Sequence, residues 1–138
     1  MKFRSDEGVA EWMREYWKSQ GEVIDWDKPY MPFGVEKDGE LGLGVIFEWW
    51  MGDAICMHIV CTNRKLLTRK VISAAFEFPF ITLGCKYVVG IVPSKNEASK
   101  AFCERLGFEE KRRQQQFYAD GDTAVIYVGS DEQLRFWR

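Results

Sequence analysis

Asn96-Glu97-Ala98-Ser99-Lys100-Ala101-Phe102-Cys103-Glu104-Arg105-Leu106-Gly107-Phe108 lies between two strand signals. Before it, Lys86 to Val92 is an apolar run rich in valine and isoleucine. It reads as a buried strand, ended by Pro93. Ser94-Lys95-Asn96-Glu97 is a helix start, and Ser94 with Glu97 has capping-box spacing. The helix is expected to reach Leu106 and stop at Gly107. After it, Lys111 to Tyr118 and Thr123 to Val128 alternate as a hairpin around Asp120-Gly121. The tail, Asp131 to Arg138, carries Leu134, Phe136 and Trp137, which should dock.

Upstream, Val71, Ile72, Ala75, Phe76, Phe80 and Leu83 recur at helical spacing, giving a helix from about Leu66 or Thr68 to Leu83. Pro79 should loosen its last turn and Gly84 should end it. Leu41 to Trp50 and Ala54 to Cys61 read as two strands of a meander turned at Met51-Gly52-Asp53. Phe33 to Lys37 is a short strand turned at Asp38-Gly39, and residues 22–32 are a loop. Ser5 or Asp6 caps a first helix to about Ser19, with Val9, Trp12, Met13, Tyr16 and Trp17 on one face and Gly21 as its stop.

That order is helix, three strands, helix, strand, helix, two strands. It implies a single α/β (α+β) domain over residues 1–138. The expected sheet is mixed and mostly antiparallel, with helices on both faces, not a doubly wound nucleotide fold. The composition agrees: 138 residues, 46% of them apolar, suffice for one core. Nineteen Lys and Arg against 21 Asp and Glu leave a net charge of −2. This argues against a nucleic-acid partner and against disorder.

Cys56, Cys61, Cys85 and Cys103 form no C-x-x-C pair, and the single histidine, His58, is not at ligand spacing to two of them. No metal site is expected. Cysteines scattered in apolar runs fit the reduced core of a cytoplasmic protein. Met1 to Glu7 has no apolar run of the signal-peptide kind, and no stretch approaches the length of a membrane span.

Asn96, Ser99, Phe102, Gly107 and Phe108 match the last conserved motif of the GNAT superfamily of N-acetyltransferases, and with the order of elements the resemblance spans roughly Phe33 to Val128. The resemblance implies acetyl-CoA as cosubstrate, without a metal, and an amine acceptor, either a small molecule or a peptide. It implies that the central strand and the strand before Asn96 splay apart. Backbone groups of Ile59, Val60 and Cys61 would then bond the pantetheine arm, with Asn96 and Ser99 on the other side. The diphosphate would sit at the helix start near Thr68, where free N–H groups and the dipole favour anions.

Leu67 and Arg69 stand where the family usually has glycines. Arg64, Lys65, Arg69 and Lys70 crowd this turn, at a helix end that disfavours cations unless an anion binds. The stretch from Thr68 to Phe80, with Phe78-Pro79-Phe80 before Leu83-Gly84, this degenerate phosphate turn and the closing Arg135-Phe136-Trp137 look similar to a short GNAT branch of phage and prophage genomes, some of whose members are virion components. That implies a second class, a GNAT-like structural or regulatory protein without catalysis.

For direct attack by an amine, a base must take a proton and the leaving thiolate must be stabilised. His58, on the central strand, is the first candidate base, set against its reading as a core histidine. Glu48, on the preceding strand, is the second, set against a solvent-facing carboxylate. Cys103 occupies the place of the family's acidic Tyr, and is either a proton donor or a packing residue. Tyr118 and Tyr127 are the other candidate acids. Phe47, Trp49, Trp50 and Met51 are expected in the core, or else in an acceptor pocket. Exposed aromatics would support a homodimer.

Overall fold

The computed structural model describes residues 1–138. Asp6 begins helix α1, Glu7–Ser19, by accepting the Gly8 N–H on its side chain at 2.9 Å. Its apolar face, Val9, Ala10 and Met13, is fully buried. Three strands follow: β2 (Met31–Lys37), β3 (Glu40–Glu48) and β4 (Ala54–Cys61). The β2 start differs from the expected loop over 22–32. Met31 and Pro32 already pair with Phe47 and Ile46. Met31 to Lys37 pairs onward to a short strand β1 (Lys2–Arg4) that has no sequence signal of its own.

β3 ends at Glu48, two residues before the expected Trp50. Trp49 takes φ +55 and turns the chain out of the sheet. Trp49, Trp50 and Met51 are therefore exposed, not core.

Helix α2 (Arg69–Glu77) is capped by Thr68, whose hydroxyl accepts the Val71 N–H at 3.3 Å. Where Pro79 removes a donor, the chain continues as a wide π turn, Phe78–Thr82. β5 (Tyr87–Pro93) and α3 (Glu97–Leu106) follow. The cap of α3 is Asn96, not Ser94. Asn96 Oδ1 accepts the Ser99 N–H at 3.1 Å, while the Ser94 hydroxyl donates to Asp122 at 2.5 Å. Gly107 ends α3 at φ +98; a Cβ there would lie 2.7 Å from the Gln133 carbonyl oxygen, so a side chain is excluded.

The last hairpin is shifted from expectation, to β6 (Glu109–Gln114) and β7 (Ala124–Ser130). Leu134 and Trp137 do dock, with Trp137 4.8 Å from the Phe80 ring.

The sheet has seven strands in the order β1-β2-β3-β4-β5-β7-β6. Every neighbouring pair is antiparallel except β4–β5. Alternation divides the side chains. Ile46 and Val60 face α1 with Trp26, and Val45, Phe47, Ile55 and Val88 face the other layer, with Phe76 of α2 and Leu106 of α3. Each large buried apolar side chain there contributes about 1.5–3 kcal/mol. Cys56, Cys85 and Cys103 are buried free thiols.

One close approach sets the position of α1. Gly34 and Gly44 are opposite each other on β2 and β3. A Cβ on Gly34 would meet Val9 Cγ2 at 2.7 Å, and one on Gly44 would meet Met13 Cγ at 2.8 Å. The two glycines form a saddle for the helix. Gly44→Val is expected to lower stability by about 1–3 kcal/mol through overpacking. Urea unfolding measures this, and an unchanged midpoint would mean that α1 has room to spare.

Candidate active site

β4 and β5 pair only from Ala54–Tyr87 to Met57–Gly90. β4 then continues to Cys61 along β3, and β5 to Pro93 along β7. The two strands part, and the gap is left with backbone groups on both sides. The Thr62 N–H donates to Gly42 O at 2.9 Å. In an antiparallel ladder this puts Gly44–Val60 and Ile46–His58 in the bonded set. The backbone of Val60 is thus turned to β3, and that of Ile59 and Cys61 faces the gap.

The gap opens into a cleft of about 130 Å³. Ile59, Val60, Cys61 and Arg64 line one side, and Asn96, Ser99 and Phe102 the other. Asn96 spends its Oδ1 on the helix cap, and its side-chain N–H₂ makes no bond within the chain. Tyr16 and Trp17 of α1 complete the wall. Their helical spacing marked them only as part of an apolar face.

Lys65, Thr68 and Arg69 lie beyond this wall, along the turn into α2. The turn is tied down at Gly42, whose carbonyl accepts the N–H groups of both Thr62 and Asn63. Asn63 Oδ1 then accepts the Lys65 N–H at 3.2 Å, and Leu66 is buried beneath. A Cβ on Gly42 would meet Leu66 Cδ1 at 2.7 Å and Asn63 Cβ at 2.9 Å, so glycine lets the turn sit this close. No carboxylate pairs with Arg64, Lys65, Arg69 or Lys70. Arg69 lies over the Phe136 ring at 5.8 Å. The helix end therefore carries uncompensated positive charge.

His58 is the first residue of β4 past the last β4–β5 pair, on the α1 face beside Trp26 (ring centroids 6.4 Å apart). Its Nε2 lies 2.5 Å from Glu48 Oε2, without the alignment of a hydrogen bond. Glu48 is buried at 3% exposure, not solvent-facing, and its Oε1 accepts the Asp27 N–H at 3.0 Å. A carboxylate only accepts, so the tautomer that suits this contact carries its proton on Nε2 and leaves Nδ1 as the basic nitrogen. Burial pulls the His58 pKa below its ordinary value, outweighing the pull of Glu48 the other way. The net shift favours the neutral imidazole.

Cys103 approaches from the opposite face. Its Sγ is 4.0 Å from the Cβ position of Gly90, at the last pair before the strands part. Burial pushes this thiol up to about 12. Tyr127, opposite Gly90 on β7, is also pushed up to about 12 by burial, and its hydroxyl bonds Glu104 at 3.2 Å. Tyr118 sits in the β6–β7 connection, raised to about 12 by burial and then by Asp122, Glu22 and Asp120. The structure thus pairs His58 with Glu48 on one face of the sheet near the parting point and sets Cys103 on the other face, none of the three among the residues lining the cleft, and puts Tyr118 in a separate loop. No three His, Cys, Asp or Glu side chains gather as a metal site, and no helix is long and apolar enough to cross a membrane.

Residues 1–109 match the family model described as an acetyltransferase (GNAT) domain. Curated protein sequences give no match. Among solved structures, a variant of the spermidine N-acetyltransferase of Vibrio cholerae superposes with a TM-score of 0.79 at 14% identity, over 99% of this chain and 96% of that one. The ribosomal-protein-S18-alanine N-acetyltransferase of Escherichia coli superposes at 0.69 and 18% identity, over 94% and 92%. At such identities the likeness is one of fold.

The lowered His58 pKa has a consequence for stability. Below the ordinary histidine value, about 6.5, the unfolded chain takes up the proton first. The contribution of neutral His58 is thus present above that value and lost as pH falls toward the folded pKa. Proton NMR of the single histidine should titrate below 6.5. His58→Gln should make stability between pH 7 and 5.5 less pH-dependent.

Proposed function

The chain belongs to the GNAT acetyltransferase family, and we propose that it is an acetyl-CoA-dependent N-acetyltransferase that works by direct attack of an amine. The observation that carries this is the parting of β4 and β5, with the backbone of Ile59 and Cys61 facing Asn96 across a cleft. An extended polar arm fits there as a strand would. Leu134 and Trp137 pack into the same core as α3, which supports reading the tail as part of this domain.

The residues present suit the cosubstrate. Ile59 and Cys61 offer free backbone groups, and Asn96 a free amide N–H₂. Arg64, Lys65 and Arg69 bring unpaired cations to the start of α2, and the Thr68 hydroxyl keeps its own proton to donate while it caps the helix. With Leu67 and Arg69 in place of glycines, the phosphates would be held by side chains more than by close backbone approach.

Acetyl-CoA, the cosubstrate of the family, supplies the acetyl thioester. The amine would attack its carbonyl carbon, the N–C bond forming as the C–S bond breaks, and CoA would leave as the thiolate, to be protonated by solvent. His58 Nδ1 takes the amine proton, and the Glu48 carboxylate stabilises the resulting imidazolium. The Ile59 N–H, the first free donor past the parting point, stabilises charge on the carbonyl oxygen.

Cys103 packs over Gly90 and is a poor acid. Its pKa of about 12 stands roughly three units above that of an ordinary thiol, so protonating the leaving thiolate would be uphill by about 4 kcal/mol. Direct transfer needs no acyl-cysteine. The acceptor is an amine, as in the spermidine and ribosomal-protein acetyltransferases that share the fold. A second reading, a GNAT-fold protein of structural or regulatory role, is favoured by the same departures at Leu67, Arg69 and Cys103.

Calorimetric titration with acetyl-CoA should show binding that weakens with salt, and Arg64→Glu should weaken it further. No heat at millimolar ligand would refute the proposal. His58→Gln should lower kcat by about 100-fold or more, the usual scale for a general base, with acetyl-CoA affinity retained.

A further inference from the structure

Glu48 and His58 lie under a segment that has no backbone ladder. Residues 23–29, between α1 and β2, make no backbone–backbone hydrogen bond. The segment is fastened by side chains. Trp26 is buried against α1, and Arg14 donates to Asp25 at 3.1 Å. The Asp27 amide bonds Glu48 Oε1, the only protein donor to that oxygen.

Trp49 supplies the remaining fixing. It follows Glu48 directly, stands in the left-handed region at φ +55, and is 48% exposed. A bulky side chain in that region carries backbone strain, and an indole this exposed recovers little by burial. What the conformation achieves is one short bond: Trp49 Nε1–H donates to Asp27 Oδ2 at 2.7 Å. The neighbouring Trp50 donates only to the Gly52 carbonyl of its own turn, at 3.0 Å.

We propose that Trp49 is a positioning residue: through the Asp27 carboxylate it pins the Asp27 amide onto Glu48, and so fixes the carboxylate oxygen that faces His58. Glu48 is then held from both ends, Oε1 by the loop and Oε2 against the imidazole. Removing the indole donor frees the loop, lets water reach the pair, and leaves Oε1 without its amide. Both changes favour protonated His58. The groups around His58 are Glu48 on β3, Cys56 on the same face of β4, Asp25 and Asp27 on the loop, and Arg14 across the Trp26 ring. Of these, only Glu48 touches the imidazole.

The catalytic consequence rests on the acetyltransferase reading, but the positioning itself does not, so the test reads His58 directly. With one histidine in the chain, its ring protons titrate without overlap in NMR. Trp49→Phe keeps the ring and removes the donor, and should raise the His58 pKa by at least about half a unit as burial is relieved. Asp27→Ala should give the same rise, and the double variant no further one. Trp50→Phe should leave the titration unchanged. An unmoved His58 pKa in both Trp49→Phe and Asp27→Ala overturns the proposal. In the assay, Trp49→Phe should move the acidic limb of kcat/KM up by the same amount with KM for acetyl-CoA unchanged. A shift in NMR with no acetyl transfer by the wild-type chain supports the positioning role and counts against the reaction.

Discussion

The parallel contact between β4 and β5 is where the molecule's architecture is decided. Parallel neighbours need a crossover, and residues 62–86 provide it as the basic turn, α2 and the π turn. The contact stops after four residue pairs because each strand has another partner to follow, β3 for one and β7 for the other. Right-handed twist carries the two halves of the sheet apart. An unpaired backbone edge inside a protein is costly unless something bonds to it, so the parting is a local loss of stability, and it is the feature on which the proposed cosubstrate site rests.

A second cost lies beside the first. Glu48 places a carboxyl group at 3% exposure, and a buried carboxylate needs its lone pairs satisfied. One oxygen accepts a backbone amide, and the other lies 2.5 Å from the His58 Nε2 without hydrogen-bond alignment. The loop amide of Asp27 is the contact that joins this irregular segment to the buried carboxylate. The Trp26 indole N–H, buried without a partner, sits in the same small volume. Trp26 Nε1 and His58 Nε2, the two buried side-chain polar atoms without a partner, thus lie in one corner of the core.

The bounds of β4 and α1 were readable because their period and caps are local. The loosening of α2 at Pro79 was readable for the same reason. What escaped depended on partners far along the chain. Ser94 has the spacing of a cap, but Asp122, 28 residues later, takes its hydroxyl and leaves the task to Asn96. β1 is three residues long and exists because β2 accepts it. Trp49 and Trp50 resemble core residues by type, and one left-handed backbone angle sends them outside. In the site, Ile59, Cys61, Arg64, Asn96 and Ser99 do share one cleft. Tyr16, Trp17, Asp27 and Trp49 carry no signal of their place in it, since each gains its role from a contact across the fold.

The two borders of the sheet bear on how the molecule behaves in a crowded solution. A seven-stranded sheet has two rows of unsatisfied hydrogen-bonding groups, each a template for another chain. At one border β1 offers only three residues. At the other, β6 is exposed along all six of its residues, Glu109 to Gln114, five of them charged, and its register slips between Glu110 and Arg112. Charge and irregularity together deny a neighbour a flat, regular edge to copy. Both margins of the open sheet thus carry features that oppose edge-to-edge pairing, away from the gap in its centre.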